Sequence, residues 1–146
     1  MFGFMLFLHL TGLMVWLGAL LAVVIVVPLL RKQPGAAESN ALASRIIRIF
    51  GMLAHPAAVV VLLSGVFMIV KMGIGPDKPL WLDLMEKGGG TIILLALVLT
   101  GLLGRKARKR LGAAEGRPVA LSGYLTASAG FMVLIVSMVL LVSLKI

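Results

Sequence analysis

Residues 2–30 read FGFMLFLHLTGLMVWLGALLAVVIVVPLL. No Asp, Glu, Lys or Arg interrupts this run, and its one ionisable side chain is His9. At a rise of about 1.5 Å per residue, such a helix is long enough to cross a hydrocarbon core of about 30 Å. The surrounding chain agrees with that reading. Of its 146 residues, 61% are hydrophobic and 13% charged, whereas about a quarter of a soluble domain is charged. The stretch lacks the basic leader and small-residue cleavage site of a secretory signal, so it is expected to be a retained first span.

Three further apolar runs follow, giving spans at about residues 3–30, 46–71, 83–104 and 119–144. The expected fold is all-α and integral to the membrane, a single four-transmembrane-helix domain over residues 1–146. Arg31, Lys32, Arg45 and Arg48 lie between the first two spans; Arg105, Lys106, Arg108, Lys109, Arg110 and Arg117 lie between the last two. In a four-span chain both connections share one side. The positive-inside rule assigns that side to the cytoplasm of a bacterial inner membrane and both termini to the outside. The net charge of +9 is therefore read as orienting the chain in the lipid bilayer, not as a nucleic-acid surface, because no aromatic side chains interleave with it. Without cysteine there is no disulfide, thiolate metal site or c-type haem attachment, so any haem is held non-covalently.

The third span is short. Its cleanly apolar part, Thr91 to Gly104, covers only about 21 Å, so Glu86, Lys87 and Gly88-Gly89-Gly90 must be drawn toward the hydrocarbon. Three glycines weaken a helix by about 1 kcal/mol each relative to alanine, which predicts a local break or a close helix contact.

Chemistry is expected at His9 and His55, because an imidazole in hydrocarbon needs a hydrogen-bond partner, a proton-transfer role or a metal. Helical rise places His9 and Glu86 in the outer half and His55 slightly inward of its midpoint, with the two rings roughly 15 Å apart along the membrane normal. One flat haem between them is not expected. His9, Gly12, Trp16 and Ala19 share a helix face, where the small Gly12 leaves room for a flat group or for a neighbouring helix. Glu86 is a candidate to orient His9, and Lys87 to neutralise an anionic group of a cofactor; Asp83, Glu86 and Lys87 equally suit a solvated helix end. Met5, one turn before His9, and Met72 and Met85 near the outer helix ends offer thioethers that with imidazole suit Cu(I), although methionine is also a common core filler.

On the second helix Gly51, His55, Ala58, Leu62 and Gly65 form a seam suited to close packing. Pro56 deprives the carbonyl of Met52 of its amide donor, so His55 is expected to support a kink by donating to a freed carbonyl, or to act as an alternative ligand. Ser122, Thr126 and Gly130 predict a small polar stripe for interhelical hydrogen bonding on the fourth helix, while Tyr124 suits either an interface or a buried site. No hydrolase, zinc-protease, phosphate-loop or dinucleotide motif is present.

The residues Leu8-His9-Leu10, Trp16-Leu17-Gly18, Pro28 and Arg31 resemble the opening of a group of small bacterial membrane proteins that includes the copper-resistance D-like (CopD-like) proteins, the related DUF2269-type proteins and the HemJ-type protoporphyrinogen oxidases. Arg45 and Arg48, His55-Pro56, Leu63-Ser64-Gly65 and Pro79-Leu80-Trp81-Leu82 extend the likeness over roughly the first two thirds of the chain. The HemJ-type resemblance implies haem b bound through His9, with an important lysine at the start of the third span; Lys87 is near that position but displaced from it, since Met85 or Glu86 falls where the lysine is expected after Trp81. The fourth helix lacks the Asn-Glu-x-Pro sequence associated with those oxidases. The copper-resistance resemblance implies copper handling. Three expectations follow: a haem b protein with a redox or electron-transfer role, possessing the makings of a haem-dependent membrane oxidoreductase; a copper-handling protein; or a structural subunit without cofactor, packing through its glycine seams against another copy or a membrane redox partner.

Overall fold

In the computed structural model, which describes residues 1–32 and 36–145, the helices are α1 (Phe2–Leu30), α2 (Ala36–Met72), α3 (Leu80–Leu84), α4 (Gly90–Ala113) and α5 (Ser122–Leu144). A π-helical turn, Met85–Gly89, joins α3 to α4, so that Leu80–Ala113 forms the third span. Four helices are thus long and apolar enough to cross a membrane, the make-up of a multi-pass membrane protein. At most 39% of the most apolar window of any of them is buried. The remaining apolar surface, including Phe4, Met14, Met52 and Leu102, has no partner within the bundle and suits lipid.

The spans pack in a closed ring, α1 on α2, α2 on α4, α4 on α5 and α5 on α1, with the α1–α2 contact the most extensive. One core gathers Trp16, Ala19, Ala57, Ala58, Val61, Ala96 and Phe131 in the middle of the bundle. A second, nearer the basic connections, joins Val23, Val27, Ala43, Ile47, Ala107, Leu111 and Tyr124.

Helix ends differ from the expected spans where charge was read as connection. The α2 helix begins about ten residues before the expected 46, because the segment from Ala36 to Ala43 is rich in good helix formers and carries Glu38 in its first turn, against the positive end of the helix dipole. Side chains anchor it: Ser39 Oγ donates to Leu30 O at 2.6 Å and Asn40 Nδ2 to Arg117 O at 3.0 Å. Arg31 reaches across to donate to the carbonyl of Val119. The α4 helix runs through the basic Arg105–Arg110 run to Ala113 rather than ending at 104. Lysine and arginine are good helix formers that are favoured at the negative end of the dipole, and Ala107 and Leu111 supply an inward face.

The glycine triplet does not break the third span. The chain accommodates it in the π-turn, and only Gly88 makes a close approach: a Cβ there would lie 3.2 Å from Met138 Cε. The predicted polar stripe on the last helix is overturned, since Ser122, Thr126 and Gly130 are all exposed. The buried face is instead Tyr124, Ser128, Phe131 and Ile135.

Candidate functional site

The α1–α2 crossing places His9. A Cβ at Gly12 would lie 2.9 Å from Val61 Cγ2 and 3.1 Å from the backbone oxygen of Ala57, so Gly12 serves close approach of the two helices and leaves no space for a flat group. One turn earlier, the imidazole of His9 lies against Gly65, where a Cβ would come within 3.2 Å of His9 Cε1. Two glycines near the ring, one on each helix, therefore do different work: Gly12 brings the backbones together, and Gly65 makes the seat for the ring.

The hydrogen bonding defines the tautomer. His9 Nδ1 lies 2.9 Å from the backbone oxygen of Val61, which can only accept, so Nδ1 carries the proton and donates. Ser64 Oγ donates to Val60 O at 2.6 Å and sits 3.1 Å from His9 Nδ1, where it can take a share of the same proton. Nε2 is then the lone-pair nitrogen. A backbone carbonyl orienting one ring nitrogen while the other is free to coordinate is the usual arrangement of a ligating histidine.

His9 lines a cavity of about 400 Å³ at the end of the bundle where α1 begins and α5 ends. Trp16, Trp81, Met85 and Glu86 line it as well, together with Met68, Met72 and Met138. The structure thus brings together His9, Trp16, Met72, Met85 and Glu86 of the predicted residues. The π-turn contributes Met85 and Glu86 to this lining, and extra-residue turns of this kind recur at functional sites.

Other predicted residues fall elsewhere. Glu86 does not orient His9; it pairs with Lys78, and the Val61 carbonyl takes the orienting role. Lys87 is exposed and pairs with Asp83 one turn earlier at 2.7 Å, as expected of a solvated helix end. Gly12 and Met5 do not line the cavity. His55 lines a separate cavity nearer the basic end. Its Nδ1 donates to Gly51 O at 2.7 Å, the carbonyl one residue before the one that Pro56 deprives, so the bond is a local i−4 contact rather than a cap on the freed Met52 oxygen. Gly65 and His55 are ten positions apart on α2, or roughly 15 Å, so the two imidazoles occupy different depths.

Met68, Met138 and the Val61 carbonyl carry no sequence motif, and Ser64 lies in the Leu63-Ser64-Gly65 stretch without any sign there of its bond to His9. A partial signal exists on α2, where 61, 65, 68 and 72 recur at helical spacing and so share the face toward His9. No protein-family model, curated protein or solved structure matches the chain.

Proposed function

We propose that the His9 cavity binds one haem b, with His9 Nε2 as an axial ligand, in a bacterial inner-membrane protein that has a redox or electron-transfer role. The observation that carries this reading is the Nδ1–H bond to the Val61 carbonyl, which orients the ring and leaves Nε2 as a ligand nitrogen in an apolar cavity. The cavity size lies within the range of small-molecule sites. Met68, Met72, Met85 and Met138 line the same cavity and would offer thioethers to the iron. Bound haem would supply one-electron chemistry, while this chain would orient the imidazole and exclude water with Trp16 and Trp81; Lys87, paired with Asp83, is not part of the cavity lining. The basic connections favour the cytoplasm for their end of the bundle, which puts the His9 cavity in the outer half of the membrane.

Protein purified from haem-sufficient cells is expected to show a Soret band that is lost or shifted in His9→Ala. A wild-type spectrum with no Soret band, or one unchanged by that substitution, overturns the reading. The four methionines around His9 favour a second reading, Cu(I) held by imidazole and thioether. Copper near one atom per chain that depends on His9, in colourless protein, selects it over haem.

A further inference from the structure

The second cavity, of about 680 Å³, is built from small residues and arginines in register. Arg48, Gly51 and His55 recur at three- and four-residue spacing on α2, as do Gly101, Arg105 and Arg108 on α4, so each set occupies one helix face. All six line the cavity. The glycines keep the helix surfaces apart from bulky side chains, and a Cβ at Gly101 would approach His55 Nε2 to 3.1 Å. His55 thus faces Gly101 across the cleft. Between His55 and the arginines the walls are apolar, with Met52, Ala54 and Leu102, and Leu97 and Val98 continue the lining beyond His55. The mouth opens sideways toward lipid, since Met52, Val98 and Leu102 line it and are 66%, 58% and 58% exposed.

The charge here is uncompensated. The chain has five acidic residues, and none of them lines this cavity. Both ion pairs among the described residues, Lys78–Glu86 and Lys87–Asp83, lie at the opposite end. Guanidinium groups from two helices therefore surround an opening with no carboxylate partner, and their planar donor forks match phosphate oxygens. From Arg48 to His55 the helix rises about 10 Å, so an anionic head at the arginines continues into an apolar slot several methylenes deep. Free phosphate would leave that slot empty.

We propose that the cleft between α2 and α4 is a specific site for one anionic phospholipid of the leaflet at the basic end, with its phosphate held among Arg48, Arg105 and Arg108 and an acyl chain lying in the slot toward His55. The site is independent of any cofactor at His9.

The test is native mass spectrometry of the full-length protein in detergent with dioleoyl-phosphatidylglycerol, dioleoyl-phosphatidylcholine or inorganic phosphate added separately. A single phosphatidylglycerol adduct, favoured over phosphatidylcholine and not displaced by millimolar phosphate, is expected. Replacing all three arginines by glutamine (R48Q/R105Q/R108Q) is expected to weaken that adduct by about tenfold or more. The triple substitution K106Q/K109Q/R110Q removes equal charge from residues outside the cleft and is expected to retain it. R48K/R105K/R108K keeps charge and fold while losing the bidentate donors, and is expected to bind with intermediate strength. Equal weakening in the K106Q/K109Q/R110Q protein would reduce the effect to net charge and overturn the site. Retention in R48Q/R105Q/R108Q, or displacement of the lipid by inorganic phosphate, would overturn it too.

Discussion

The two histidines share one tautomer and differ in what their proton holds. His9 donates from Nδ1 to α2, across a helix interface, whereas His55 donates from Nδ1 to Gly51 on its own helix. The first bond therefore depends on the relative position of α1 and α2; the second survives any motion that leaves α2 intact. An interhelical bond of this kind makes the orientation of His9 Nε2 a product of tertiary packing, and its geometry can be lost without unfolding a single helix.

The largest break in that contrast is expected from Gly12→Leu. The new side chain meets the Ala57 backbone oxygen and Val61, which cannot both move aside, so α1 is displaced from α2. Overpacking of this type costs about 1–3 kcal/mol or more, which would appear as a large fall in the thermal midpoint in detergent together with loss of any His9-dependent spectrum. Next in size, Ser64→Ala removes a polar partner of the His9 ring while leaving the Val61 bond. Loss of an orienting partner typically weakens a metal or haem site about 10- to 100-fold, and a titration of cofactor into apo-protein measures it; unchanged affinity would show that Val61 alone sets the ring. The smallest effect is expected from His55→Ala. Loss of its local bond costs about 1 kcal/mol, and the spectrum of a His9-bound cofactor remains as in wild type. A spectral change there would couple the two depths and end the contrast.

Span number, helical class and the separation of the two imidazoles were legible because each rests on apolar run length and helical rise alone. The ends of α2 and α4 were not. Lysine and arginine mark a connection in a hydropathy pattern, yet they are good helix formers, and only the packing of Ala43, Ala107 and Leu111 reveals that the helices continue. The stripe Ser122, Thr126 and Gly130 failed for a related reason: small polar side chains at helical spacing define a face without saying which way it turns. In α5 the ring of neighbours turns Tyr124 and Ser128 inward instead.

Within the candidate site, His9, Trp16, Met85 and Glu86 could be chosen by residue type and depth. Their partners could not. The acceptor for His9 is a backbone oxygen, which every residue possesses, and it is available only because Gly12 and Gly65 let the helices meet closely. Glu86 looked free to orient the imidazole because Lys78, on the loop before α3, gives no sign in the sequence of folding back onto it.

At the basic end, Ser39 ties α2 to the end of α1, Asn40 ties α2 to Arg117, and Arg31 ties the end of α1 to Val119, on the other side of Pro118. These ties form a collar across the crossings of the chain. Toward the opposite end the interhelical side-chain bonding among the described residues is that of His9 to Val61 and Ser64 alone, and the two ion pairs are confined to residues 78–87. A bilayer thinner or thicker than the apolar spans strains a bundle where it is least braced. Membrane thickness therefore acts first on the end that holds His9, making lipid chain length a physical control on that cavity.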